Sequence, residues 1–217
     1  MKEENLDPQQ SIELIEKMIN KAKGGYYDTG IGPLLWGIVV SICALLTWAQ
    51  LHYNFELPFD IWILTLIAIA PQIYISIKER KMRRALRYED VAMGYIWSVY
   101  GFSIFLLIMI NSNLFQHLRP LLEDYNKNHS GHTFYLYDYT SAMFLLLYGI
   151  PTIITGGITK FKPMLWGGLF CWACCVAAVY TNIETDMLLT AAAATMAWFI
   201  PGIILRKRYL KNKACDV

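Results

Sequence analysis

KERKMRRALR, residues Lys78 to Arg87, sets six basic side chains, Lys78, Arg80, Lys81, Arg83, Arg84 and Arg87, between two long uncharged apolar runs. A basic connection between such runs is the pattern of a cytoplasmic loop joining two membrane helices. With that loop inside, the other polar segments fall alternately on the two sides of the membrane. All but two of the 19 Lys and Arg residues then lie on the cytoplasmic side, the exceptions being Arg119 and Lys127. His52, His117, His129 and His132 all lie on the outer side, and both termini are expected in the cytoplasm.

Six apolar segments carry this pattern: 31–51, 61–77, 91–110, 140–158, 163–181 and 187–205. Each approaches the roughly 20 residues needed to cross the hydrocarbon core. None contains Asp, Glu, Lys, Arg or His, so none brings a costly charge to the bilayer centre. The composition agrees, since only 17% of the chain is charged, against about a quarter in soluble domains. The expected fold class is an all-α polytopic membrane protein of six transmembrane helices in three hairpins. A cytoplasmic amphipathic helix is expected over 1–25, the membrane domain over 26–209 with an outer loop at 111–139, and a cytoplasmic tail over 210–217.

The amphipathic helix opens on Asp7-Pro8-Gln9-Gln10, an N-cap with proline at the first helical position. Ile12, Leu14, Ile15, Met18, Ile19 and Ala22 share one half of its wheel. Two readings fit: a helix lying on the inner leaflet or docking a partner, or one that packs across the protein's own loops. The mixed-charge start has no apolar core followed by a small-residue cleavage site, so no cleavable signal peptide is expected. The location implied is the inner membrane of a bacterium.

Chemistry-bearing residues are few. Cys171, Cys174 and Cys175 stand at i, i+3 and i+4 of one segment, a spacing open to a soft metal or to redox chemistry. Their neighbours Trp172, Ala173, Val176 and Ala177 offer nothing to stabilise a thiolate, which favours packing thiols. His129 and His132, with His117, Glu123, Asp124 and Asp138 nearby in sequence, could supply an outer zinc or copper site, but four ligands would have to converge. The polar side chains inside the apolar runs are neutral, so a carboxylate or histidine relay is missing from them. Ser103 follows Gly101-Phe102 without a membrane histidine to act as its base. No enzyme activity and no cofactor are implied.

Leu35, Trp36, Gly37, Thr65, Pro71, Ile73 and Lys81 recur, 130 residues later, as Leu165, Trp166, Gly167, Thr195, Pro201, Ile203 and Lys211. Tyr100-Gly101 and Pro151 echo the pattern in the middle hairpin. Repetition of one hairpin or convergence on common membrane-helix residues would each produce it. Under repetition, Pro71 and Pro201 face the bundle interior at matching heights, each freeing a carbonyl one turn earlier. Thr65, Gln72 and Thr195 are then expected beside them, and a small-molecule pocket would lie there.

At LLWGIVV (Leu34 to Val40), LLYGIPTIITGGITKFKP (Leu146 to Pro163) and FIPGIILRKRY (Phe199 to Tyr209) the chain resembles a family of small six-helix inner-membrane proteins of Bacteroidetes-type bacteria. The resemblance covers nearly the whole chain, and its motifs are packing motifs that transfer no catalytic role. In size and helix count alone the chain is also similar to the substrate-binding components of energy-coupling vitamin transporters. The leading expectation is a non-enzymatic inner-membrane protein whose cytoplasmic face meets lipid or a protein partner. The alternatives are a binding or transport component for a neutral or lipophilic small molecule and, more distantly, a metal or redox protein. Nothing implies nucleic acid, and a homo-oligomer is left open.

Overall fold

The computed structural model describes residues 29–82, 88–128 and 137–215. The expected N-terminal helix, residues 83–87 of the basic stretch, and His129 and His132 lie outside them. Every regular element among the described residues is helical: α1 Ile31–Tyr53, α2 Ile63–Met82, α3 Tyr88–Asn128, α4 Tyr137–Ile158, α5 Lys162–Ala178, α6 Ile183–Ala194, a π-helical turn Thr195–Phe199, and α7 Ile200–Cys215. The last three follow one another without a break.

Local chemistry sets the helix ends. Gly30 precedes α1 with φ +73°, and a Cβ there would sit 2.6 Å from both Gly202 O and Arg206 N, so backbone angle and space each require glycine. Asn54 ends α1 in the left-handed region that Asn tolerates. Asp60 opens α2 by accepting the Trp62 N–H at 2.9 Å. Asn182 caps α6, its Oδ1 accepting the Thr185 N–H at 3.1 Å. Between α4 and α5 the chain reverses within three residues, closed by Phe161 N–H bonding Gly156 O at 2.9 Å.

Among the described residues four helices are long and apolar enough to cross a membrane: α1, α3, the Tyr139–Ile158 part of α4, and the run Ile183–Asn212 through α6 and α7. Of the six expected segments, the other two differ for visible reasons. The fifth forms α5, a helix of 17 residues. The second forms α2, which begins at Ile63 and takes Lys78, Glu79, Arg80 and Lys81 into its last turns.

The expected outer loop 111–139 is corrected by α3, which stays helical through Asn128, and by α4, which begins at Tyr137. At 41 residues α3 is about 60 Å long, roughly twice the hydrocarbon thickness. Polarity at Asn111 ends an apolar run but not a helix. Beyond it Leu114, Leu118, Leu121 and Tyr125 recur at helical spacing, and Arg119 pairs with Glu123 one turn on at 2.9 Å.

The core is built by α1, α4, α5 and the α6–π–α7 run, around Val40, Leu145, Cys171, Ala193, Ala197 and Trp198. Small residues let these backbones approach. A Cβ on Gly156 would fall 2.5 Å from Leu165 N, and one on Gly168 2.9 Å from Ile153 N, which is how α4 and α5 lie so close. Among the described elements the backbone of α2 comes close only to α1, and that of α3 only to α4, although Tyr100 of α3 reaches Trp198. Their outer faces carry exposed apolar side chains such as Leu66 (63%) and Phe102 (62%). Exposed apolar area on that scale is costly in water and costs nothing in lipid, compatible with an integral membrane protein.

The expected equivalence of the two prolines is corrected. Pro201 is fully buried, whereas Pro71 is exposed on α2. The packing of the matched glycines differs as well. A Cβ on Gly167 would strike Met196 O and Ala197 Cα, while one on Gly37 would strike Phe199 rather than the corresponding part of α2. Both glycines have been drawn onto one central element, which hairpin copies packing alike would not do.

Gly37→Ala should therefore destabilise the protein by about 1–3 kcal/mol, since its Cβ would meet Phe199 N at 2.5 Å. Gly101→Ala, with no atom within 4 Å of the new carbon, should be neutral or stabilise by about 0.5–1 kcal/mol. Thermal unfolding of both variants in one detergent separates the two outcomes.

Candidate functional site

The π turn Thr195–Phe199 is the point on which α1, α4, α5 and α6 converge. It ends two residues before Pro201, whose ring crowds the carbonyl one turn earlier and removes a backbone donor. The helix widens there, with Ile200 N–H bonding Thr195 O five residues back. Widening by one residue also alters which side chains face the neighbours.

Trp198 points into the bundle. Its Nε1–H donates to Thr152 Oγ1 at 2.9 Å, and Thr152 Oγ1–H donates on to Tyr148 O at 2.7 Å. The Tyr148 ring centre lies 4.9 Å from that of Trp198, and Tyr100 approaches both rings edge-on at 6.3 and 6.5 Å. On the α1 side Thr195 Oγ1–H donates to Ala191 O at 2.8 Å, with Ser41 Oγ 3.1 Å from Thr195 Oγ1 and 3.3 Å from Ala191 O. The turn is thus pinned by side-chain hydrogen bonds to α4 and α1. Packed rings and satisfied donors hold helices together; none of these groups is presented as a nucleophile or base.

The pocket expected from Thr65, Pro71, Gln72, Thr195 and Pro201 does not assemble. Thr195 and Pro201 belong to the central run, while Thr65, Pro71 and Gln72 belong to α2, whose backbone approaches α1 and not that run. Thr65 Oγ1–H donates to Trp62 O at 2.6 Å. Gln72 Nε2 donates to Ser76 Oγ at 3.3 Å, and its amide lies against Gly32. Pro71 borders an apolar groove between α1 and α2.

The three cysteines of α5 address different neighbours. Cys171 Sγ is 3.8 Å from Ala193 O on α6, Cys175 Sγ is 3.2 Å from Ala142 O on α4, and Cys174 is buried. Cys43 on α1 similarly lies 3.5 Å from Ile61 O. Among the described residues no group of three or more His, Cys, Asp or Glu could hold a metal ion.

One buried acid escaped the reading of the sequence. Asp186, within a segment taken as a short outer connection, is fully buried and accepts Thr181 Oγ1–H at 2.5 Å. The available signal was the Asn182 cap. Starting the helix at Ile183 puts Asp186, Thr190, Ala193, Ala194 and Ala197 at helical spacing on one face, and all five are buried. Two residues before it, Glu184 pairs with His52 of α1 at 2.6 Å.

The class of protein that fold and site define is an all-helical one with membrane-length apolar helices and a closely packed core. Comparison with protein-family models, curated proteins and solved structures found no match to the chain.

Trp198→Phe and Thr152→Val each remove one side of the Trp198–Thr152 hydrogen bond. A double-mutant cycle in detergent should give a coupling of about 0.5–1.5 kcal/mol. Strict additivity would mean the bond holds nothing.

Proposed function

We propose that the protein is a non-enzymatic integral inner-membrane protein, with six membrane passages and both termini in the cytoplasm, that acts through lipid or protein contacts at its basic cytoplasmic face. The observation that carries this reading is the meeting of basic segments distant in sequence. Thr29, just before α1, donates its hydroxyl hydrogen to Glu79 at the end of α2. Gly30 packs on Gly202 and Arg206 of α7. The Arg208 guanidinium stacks 5.1 Å above Phe161 in the α4–α5 turn. Lys78, Arg80 and Lys81, then Lys160 and Lys162, then Arg206, Lys207, Arg208 and Lys211 accordingly share one end of the bundle.

Such a face suits an anionic leaflet, where each Lys or Arg near the surface contributes about 1 kcal/mol. The reading as a small-molecule carrier draws less support, because the side chains nominated for its pocket are divided between two sides of α1.

Two measurements test the proposal. Single cysteines at Asn128 and Lys213, in a cysteine-depleted background, should differ in intact cells. An impermeant thiol reagent should label the first and spare the second, and the reverse would invert the topology. In mixed phosphatidylglycerol–phosphatidylcholine nanodiscs the protein should enrich the anionic lipid in its annulus. Lys207→Gln with Lys211→Gln should lower that enrichment, and indifference to headgroup charge would sink the lipid half of the reading.

A further inference from the structure

A groove of about 240 Å³ runs between α1 and α2, walled by Leu35, Val39 and Ile42 on one side and Leu64, Ile67 and Pro71 on the other. Each wall runs over eight residues, about 10 Å from first to last along its helix. Every lining residue is apolar, so the groove admits hydrocarbon and offers a polar solute nothing. It is also too small for a neighbouring helix, whose diameter is about 10–12 Å. A hydrocarbon chain gains little by leaving the lipid tails, so apolar shape alone would not hold an occupant there. The hold must come from a charged end.

That end is on the same helix. Lys78 follows Pro71 by seven residues, which returns it to the same face of α2 about 10 Å nearer the basic end. It is exposed and has no ion-pair partner among the described residues, and Lys81, three residues further, is exposed too. We propose that the groove and these two lysines form one site for an anionic phospholipid, an acyl chain lying between α1 and α2 and the phosphate at Lys78 and Lys81. The site rests on the reading of the basic end as a lipid-facing surface, and adds to it one defined position and one chain-sized slot.

The test uses the full chain in nanodiscs of equal phosphatidylglycerol and phosphatidylcholine, released into native mass spectrometry, with annular lipid composition measured in parallel. The wild type should retain a single phosphatidylglycerol. Ile67→Trp fills the groove from an outward-facing position, and should abolish that retained lipid while leaving the annular enrichment intact. If Ile67→Trp fails to fold, Leu64→Trp serves from the same wall. Lys78→Gln with Lys81→Gln should weaken retention about thirtyfold, near fivefold for each cation. Retention unchanged in both kinds of variant, or equal retention of phosphatidylcholine, overturns the site. Annular enrichment without any retained lipid also overturns it, yet leaves the broader reading standing. Absence of annular enrichment in the wild type removes that reading together with the site.

Discussion

How closely other backbones can come to Thr195–Phe199 governs the bundle core. In lipid there is little hydrophobic gain in bringing two apolar helices together, so the helices are held by close contact and by hydrogen bonds. Gly37 and Gly167 permit that contact from α1 and α5, each leaving no room for a methyl group above the turn. Trp198 and Thr195 supply the hydrogen bonds, to Thr152 of α4 and beside Ser41 of α1. The π turn is what aims Trp198 and Thr195 at different neighbours, and Pro201 gives the helix a reason to widen at that point.

Around this centre the architecture is uneven. Four elements share the core, while α2 and α3 lie at its edge, α2 mainly on α1 and α3 mainly on α4. A helix packed along one side only would be poorly supported in water, because most of its apolar surface would stay wet. In a bilayer the hydrocarbon covers that surface, and the helix needs only its internal hydrogen bonds. The same allowance lets α3 continue past its apolar part, where Arg119 and Glu123 pair along an amphipathic extension.

The two ends of the bundle are chemically distinct. One collects Lys78–Lys81, Lys160, Lys162 and the cations of α7 through contacts at Thr29, Gly30 and Phe161. The other holds the His52–Glu184 pair, the Asn182 cap and the buried Asp186. This polarity is what a membrane-facing role would use, since an anionic surface distinguishes the two ends through charge alone.

By itself, the sequence determined the quantities that add up locally. Apolar runs gave the helices and their membrane character, basic residues sorted to one end, and Thr195 and Pro201 were already singled out by their match to Thr65 and Pro71. Helical order across Asn111 and the burial of Asp186 were also local. They were masked because polar residues read as loop, although caps and spacing were there to be read. Only the tertiary structure decided which backbones touch. It divided Thr65, Pro71 and Gln72 from Thr195 and Pro201, buried one proline and exposed the other, and brought Tyr100, Tyr148, Thr152 and Trp198 together. Nothing about an aromatic or threonine in an apolar helix marks its partner. The partner is set by which surfaces fit within fractions of an ångström between segments far apart in the chain, and periodicity and hydropathy carry no information on that.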